Sequence, residues 1–316
     1  MGKKKKTAEG FRTSIGGQAL IEGILMRGPT KQAIVVRTAD GLVSEVSEPH
    51  FIREKYKILG WPFLRGIIIF IESMVYGVKA LTYSASFMPE EEQEQPTKFD
   101  KWVEEKLGSE KAEKALIGFA VFLGVCLSVG LFVLLPTLLA GFVTNLTESS
   151  ILRNLTEGAL RLIIFFLYMY FCTKSPDLKR VFRYHGAEHK SIFCYEKGLP
   201  LTVENVRGQS RFHPRCGTSF LFIVMIISIF VFSFLSWNNV FLRMILRILL
   251  LPVVMGISYE IIHWAGKHDN WLSSALSAPG KALQRLTTAE PDDSMIECAI
   301  EALKLVIPEK KGQDEW

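Results

Sequence analysis

Residues 183–190, RYHGAEHK, place two histidines and a glutamate within positions 185–189. On a helix His185 and His189 are four apart and share a face, with Glu188 beside them. The order H-x-x-E-H is the inverted form of the zinc-hydrolase helix, in which two histidines hold a metal and the glutamate activates a water. A tetrahedral catalytic zinc needs a third protein ligand and an open position. His213 and Cys216, in RFHPRCGTS, and Glu260, in SYEIIHW, can supply that ligand, and Glu204 is a further candidate. Cys194 is nearer in sequence, but a regular helix turns it to the basic side. The expected site is therefore His185 and His189 as metal ligands with His213, Cys216 or Glu260 as the third, zinc as cofactor and Glu188 as catalytic base. A hydrogen-bonded polar network is the other reading of the same residues, because imidazoles and a carboxylate stranded away from water need partners.

The element that must position them is a helix with local start and stop signals. Ser175-Pro176 supplies an N-cap and a proline at the first helical position, and Gly198 followed by Pro200 supplies a stop. At about 100° per residue, Leu178, Val181, Phe182, Ile192 and Glu196 fall on one stripe with His185 and His189, and Glu188 lies at its edge. Lys179, Arg180, Arg183 and Lys190 fall opposite. The helix is amphipathic, and its potential ligands point inward.

That helix lies in a chain with membrane character. The sequence is 49% hydrophobic with a mean hydropathy of +0.23, and the excess is concentrated in a few long runs, so membrane spans explain it better than a large soluble core. Four runs, approximately 115–143, 151–172, 216–237 and 240–263, are each around the twenty residues that a bilayer requires. The turns at 144–150 and 238–239 contain no Lys or Arg, whereas the 173–215 loop carries Lys174, Lys179, Arg180, Arg183, Lys190, Lys197, Arg207, Arg211 and Arg215. The positive-inside rule puts that loop and both termini in the cytoplasm. Lys3 to Lys6 form a basic start with no apolar stretch behind it, so no secretory signal peptide is expected. The odd count of five cysteines and their spacing suggest no disulfide framework.

Residues 58–85 are apolar enough to suggest a further span, yet Arg65, Glu72 and Lys79 recur every seven residues and keep a charged stripe on one side. An interfacial or re-entrant helix fits that stripe better. The acidic run at 90–96 reads as a solvated linker, and 98–114 as a charged helix leading into the membrane. Within the spans, Glu157 and Arg161 are spaced to pair on one helix, and Arg243 and Arg247 are placed to snorkel to headgroups. Glu260 is a functional candidate as an ionisable group in a span.

Residues 1–57 read as a small polar domain. Two β-prone runs at 33–37 and 42–46 flank Ala39-Asp40-Gly41, a hairpin signal. The glycines of IGGQALIEGILMRGP match no phosphate loop and serve turns or close backbone packing. Glu22 reads as an ordinary charge, with a role as an extra acidic ligand as the alternative. After residue 263 the chain returns to soluble character. Met295, Ile296, Ala299, Ile300, Leu303 and Val306 follow a 3.6 period, on a tail expected to pack on the N-terminal domain or on a partner.

The expected fold is a mainly α membrane protein. It has about four transmembrane helices, one interfacial or re-entrant amphipathic helix, and a small N-terminal cytoplasmic domain containing a β-hairpin. The expected divisions are 1–57, 58–114, a four-span membrane domain at 115–263 and a cytoplasmic helical tail at 264–316.

The segments IGGQALIEGILMRGP, RYHGAEHKSIFCYEKG, LTVENVRGQSRFHPRCGTSF, LPVVMGISYE and LTTAEPDDSMIECAIEAL resemble, in order, those of the YqhQ-like family of bacterial multi-pass membrane proteins. The resemblance implies a bacterial inner-membrane protein. The family is a domain of unknown function, often labelled a predicted metal-dependent enzyme, and that label corresponds here to His185, Glu188 and His189.

Two functions from different classes follow. One is a metal-dependent hydrolase that cuts a peptide or lipid-linked substrate near the cytoplasmic leaflet, with Glu188 as general base. The other is a non-enzymatic membrane factor whose basic loop docks a partner: a ribosome, a translocon or acidic lipid headgroups. Membrane lipids are expected partners under both, and DNA under neither.

Overall fold

Continuous burial along the second strand of the N-terminal sheet explains how the sheet becomes a platform. The computed structural model describes residues 11–89, 97–143, 149–235, 239–268, 270–310 and 312–315. The basic start, the acidic run at 90–96, most of the turn at 144–150 and Asn238 of the second turn therefore lie outside the described residues. Strands β1 (Gly16–Leu20), β2 (Gly23–Arg27), β3 (Gln32–Thr38) and β4 (Gly41–Ser47) form an antiparallel meander in the order β1-β2-β3-β4. Thr38 pairs with Gly41, so Ala39-Asp40 is the two-residue loop of the hairpin read from the sequence. The glycine-punctuated segment forms a second hairpin, β1–β2, closed where Leu20 pairs with Gly23. Glu22, at the tip of this hairpin, has φ 49°.

Successive side chains on a strand face opposite ways, and both faces of this sheet are covered. Ile24, Met26, Ala33 and Val35 enter one core with Tyr184, Ala187 and Ile192, and with Met295, Ile296, Ala299 and Leu303. Leu20 and Leu25 point the other way, towards Ala80 and Ile34.

The helices follow in order. They are α1 (Ile52–Lys55), a 3₁₀ turn at Lys57–Gly60, α2 (Leu64–Ala85), α3 (Lys98–Leu107), α4 (Ser109–Val129), a π turn at Gly130–Leu134, α5 (Leu135–Val143), α6 (Ser150–Cys172), α7 (Pro176–Glu196), α8 (Val203–Arg207), α9 (Gly217–Phe232), α10 (Val240–Lys267), α11 (Trp271–Thr287) and α12 (Asp293–Val306). The charged helix expected over 98–114 is broken at Gly108, whose φ of 77° ends α3 before α4 starts at Ser109. Helix α2 buries Gly66, Glu72, Gly77 and Ala80 and exposes Ile71, Met74, Val75 and Leu81. Two charges of its stripe are thus turned towards protein, while Lys79 is exposed: Glu72 accepts the Ile52 N–H at 2.7 Å, and Arg65 pairs with Glu260.

Among the described residues, three helical stretches are long and apolar enough to cross a membrane: Lys111–Phe142, Leu152–Cys172 and Phe241–Lys267. The fourth expected span contains the shorter helix Gly217–Phe232. At about 1.5 Å per residue, its 16 residues reach about 24 Å, less than the hydrocarbon core of about 30 Å. The chain divides into two compact units. One comprises Met1–Phe87, Met169–Ile227 and Pro252–Trp316, and the other comprises Met88–Tyr168 and Ser228–Leu251. The N-terminal sheet, α7 and α12 share the first unit, where α12 packs on β2, β3 and α7.

In the second unit the polar residues of the apolar helices converge. Glu157 pairs with Arg161 at 3.1 Å on its own helix, as their spacing suggests. Arg243 and Arg247 do not snorkel; each is 1% exposed. Arg247 turns inward because Glu157 and Thr137 offer its guanidinium acceptors inside the unit.

Candidate metal centre

Helix α7 begins as its sequence dictates, with the Ser175 hydroxyl accepting from the Leu178 N–H and Pro176 in the first turn. It ends at Glu196, just before Gly198 at φ 63°. Its burial is not one-sided, because Tyr184 and the run from Gly186 to Ile192 are all buried. The tail crosses directly over Gly186, where any Cβ would collide with the Ala289 carbonyl, and the Ala289 N–H donates to Phe182 O at 2.8 Å.

Along this helix His185 and His189 stack edge to face, with ring centroids 4.4 Å apart. His185 Nδ1 lies 2.8 Å from the Thr287 carbonyl, and His189 Nδ1 lies 2.6 Å from the Arg211 carbonyl. Carbonyl oxygens only accept, so each Nδ1 carries the hydrogen. Both Nε2 atoms are thereby directed at a common space, the arrangement that orients metal-binding imidazoles. Cys216 brings its Sγ to 3.2 Å from His185 Nε2. The donor atoms of His185, His189 and Cys216 all lie within 4.8 Å of one another.

Glu188 fills the remaining side. Its Oε1 accepts the Gly17 N–H at 2.9 Å, and its Oε2 lies 3.8 Å from His185 Nε2 and 4.0 Å from His189 Nε2. Gly17 permits the approach, because a Cβ there would lie 2.9 Å from Glu188 Cγ and 2.8 Å from the Leu25 carbonyl.

The electrostatics favour a thiolate. Burial pushes the Cys216 thiol up, but the neighbouring His185 and His189 outweigh it and hold the pKa well below its ordinary value. The Thr218 N–H, at the start of α9, points at the same sulfur from 3.5 Å. Burial opposes charge on His185, yet Cys216, Glu188 and the Thr287 carbonyl push its pKa up to about 9. A metal ion would displace the Nε2 proton of His185, and two imidazoles held at Nδ1 together with a thiolate would then form a donor set suited to zinc, with a carboxylate beside them.

A profile of the family described as "Protein of unknown function (DUF1385)" matches residues 61–309. The chain belongs to the DUF1385 family. It is 38% identical over 297 residues to "Uncharacterized protein YqhQ" of Bacillus subtilis (strain 168), a match covering 91% of this chain and 90% of that relative. The resemblance read from the sequence segments is therefore borne out. No solved structure matches the chain.

In this DUF1385 chain the other sequence candidates fall at varied distances from the cluster. His213 is one layer behind, its ring 5.6 Å from that of His189 and its Nε2 3.6 Å from Glu196 Oε2. Burial holds the His213 pKa below its ordinary value. Gln284 fixes this segment by accepting the His213 N–H and donating to the His213 carbonyl, each at 2.7 Å. Glu260 sits in a two-pronged pair with Arg65, at 2.5 and 2.7 Å, and accepts the Phe63 N–H at 3.2 Å. Glu204 is exposed on α8, and Cys194 is buried with its Sγ towards the Leu199 and Pro200 carbonyls. Glu22 pairs with Arg180 and accepts from the Tyr184 hydroxyl at 3.2 Å.

Three of the four charges on the basic face of α7 are paired, and Lys179 is exposed. Arg183 pairs with Asp292 at 3.0 Å and Lys190 with Glu290 at 2.7 Å. Lys190, expected opposite the buried stripe, is itself only 6% exposed, because Glu290 and the Arg207 carbonyl enclose its ammonium. The sequence placed Gly17 among the close-packing glycines without linking it to the site, and Gln284 and the carbonyls of Thr287 and Arg211 were missed. The carbonyls carry no residue-type signal, whereas a glycine beside a second glycine offered a weak one.

Proposed function

We propose that this membrane protein is a metal-dependent hydrolase of the bacterial inner membrane. In this reading both termini are cytoplasmic, and the substrate is a peptide or lipid-linked molecule near the cytoplasmic leaflet. His185, His189 and Cys216 hold zinc, and Glu188 is the general base. The observation that carries the reading is the double anchoring of His185 and His189 through Nδ1 to backbone carbonyls, which leaves both Nε2 atoms and the Cys216 sulfur converging. A zinc ion held there supplies Lewis acidity to the reacting carbonyl or phosphoryl oxygen. Glu188, fixed at Oε1 by the Gly17 N–H, presents Oε2 to take a proton from the attacking water and to return it to the leaving group. The His213 ring lies 5.6 Å from that of His189, and Glu196 in turn lies against His213.

The reading as a docking factor has less support, because Glu22, Glu290, Asp292 and Asp293 already engage Arg180, Lys190, Arg183 and Arg207. Metal analysis of the full-length protein, purified without chelators, tests the proposal. Near-stoichiometric zinc is expected in wild type and in Glu188→Gln, and its loss in the His185→Ala/His189→Ala double variant. A transition-metal content near zero in the wild type would overturn the metal assignment. Hydrolysis retained by Glu188→Gln would overturn the catalytic one.

A further inference from the structure

The end of α11 touches the support of all three converging side chains. His185 Nδ1 donates to the Thr287 carbonyl at 2.8 Å. His189 Nδ1 donates to the Arg211 carbonyl at 2.6 Å, and the guanidinium of that same Arg211 donates to the Thr288 carbonyl. Gln284, one turn earlier on α11, serves Cys216. Its Oε1 accepts the His213 N–H at 2.7 Å, and its Nε2 donates to the His213 carbonyl at 2.7 Å and to Ser219 Oγ at 3.3 Å. Cys216 stands midway between those two residues in the sequence.

Gln284 is fully buried, and both ends of its amide are engaged. An amide offers an acceptor and two donors in one plane, so it can hold a backbone N–H and C=O of one residue and a hydroxyl beyond it. The spacing between α11 and this segment is set by backbone contact. Gly280, four residues before Gln284, lies so near the start of α9 that a Cβ there would come 2.7 Å from Ser219 Cα. The turn that Gln284 holds also carries the Thr218 N–H, which points at the Cys216 sulfur from 3.5 Å. Removing the amide leaves the buried His213 N–H and carbonyl without their partner, and the turn must shift to find others.

We propose, on the reading of His185, His189 and Cys216 as zinc ligands, that Gln284 is the positioning residue of the centre. By bracketing Cys216 at His213 and Ser219, it holds the sulfur beside the two Nε2 atoms that the Thr287 and Arg211 carbonyls aim. It touches no metal itself and acts through the turn. Partners that orient ligands in this way change metal affinity by about 10–100-fold when they are lost.

The test measures zinc affinity of the full-length protein by competition with a chromophoric chelator, beside the cobalt(II) spectrum. Gln284→Met, close in length and unable to make these bonds, should bind zinc about tenfold more weakly than wild type or worse. Its cobalt(II) complex should show a shifted or weakened sulfur-to-metal band. Val306→Ala, which removes buried volume beside Gly28, should melt lower and keep the wild-type affinity and band. If Gln284→Met does not fold, Ser219→Ala decides in its place. That variant removes one acceptor of the amide, and affinity should fall about threefold, the worth of one modest hydrogen bond; unchanged affinity there overturns the proposal. A wild type that binds neither metal overturns the ligand reading, and the role of Gln284 with it. A wild type that binds zinc and shows the sulfur band, beside a Gln284→Met variant of equal affinity and unchanged band, overturns the role of Gln284 alone. An equal loss of affinity in Val306→Ala would trace the effect to stability and overturn that role as well.

Discussion

Glu188 Oε1 accepts the Gly17 N–H at 2.9 Å, joining a strand near the start of the chain to the middle of α7. The contact fixes one oxygen of the carboxylate and turns the other towards His185 and His189. Gly17→Ala should therefore disturb more than a strand. Its Cβ would meet Glu188 Cγ, the Leu25 carbonyl and Met26 Sδ within 3 Å, and only the side chains can give way. A cost of about 1–3 kcal/mol is expected from such overpacking. Denaturant unfolding reads that cost, and an unchanged midpoint would contradict the contact.

Under the proposed metal assignment, Cys216 is the ligand that distinguishes this site from a two-histidine site completed by a carboxylate. Cobalt(II) bound to the protein should show a sulfur-to-metal charge-transfer band in the near ultraviolet. Cys216→Ser should lose that band, and Glu260→Gln, which alters only the contacts to Arg65 and the Phe63 N–H, should keep it. A band that survives Cys216→Ser would move the third ligand elsewhere.

What the sequence disclosed depended on how local the signal was. Helix α7 was legible because Ser175, Pro176 and Gly198 act on their own neighbours, and the β3–β4 hairpin because Asp40-Gly41 sits at its turn. The β1–β2 hairpin was not, since its tip is Ile21-Glu22 and nothing in that pair demands a turn. The candidates for third ligand could not be ranked by spacing, because Cys216 reaches the site through tertiary packing while Glu260 meets Arg65, some 195 positions away. The cover on the basic face of α7 comes from Glu22, Glu290 and Asp292, dispersed over both ends of the chain, so no local pattern announced it.

Glu157 accepts from two arginines in the second unit, and its loss should be severe. Glu157→Gln leaves Arg161 and Arg247 buried without their shared carboxylate. Removing one partner of a buried ion pair costs about 3–5 kcal/mol. Detergent-based unfolding should show a drop of that order, whereas removal of the exposed partner in the Arg37–Glu297 pair by Glu297→Gln should change little.

Asp292 gives the first unit a pH dependence on the acid side. It caps α12 by accepting the Met295 N–H at 3.1 Å and the Ser294 hydroxyl at 2.6 Å, and it pairs with Arg183. Burial opposes its charge, but the Ser294 and Met295 bonds and the nearby arginines outweigh burial and hold the carboxyl below its ordinary value. A group whose folded pKa is depressed contributes fully above its unfolded value, about 3.9 for Asp, and loses that contribution as pH falls through the folded one. The helix α12 that it caps fills the core shared by the sheet and α7, so loss of the cap reaches the platform beneath Glu188. Asp292→Ala should lower stability at pH 7 by about 1 kcal/mol, the usual worth of an N-cap. The difference between variant and wild type should shrink as pH is lowered below about 4, and thermal melts across pH 3–7 read it directly. A difference that stays constant over that range would show that the charge of Asp292 contributes nothing to its cap.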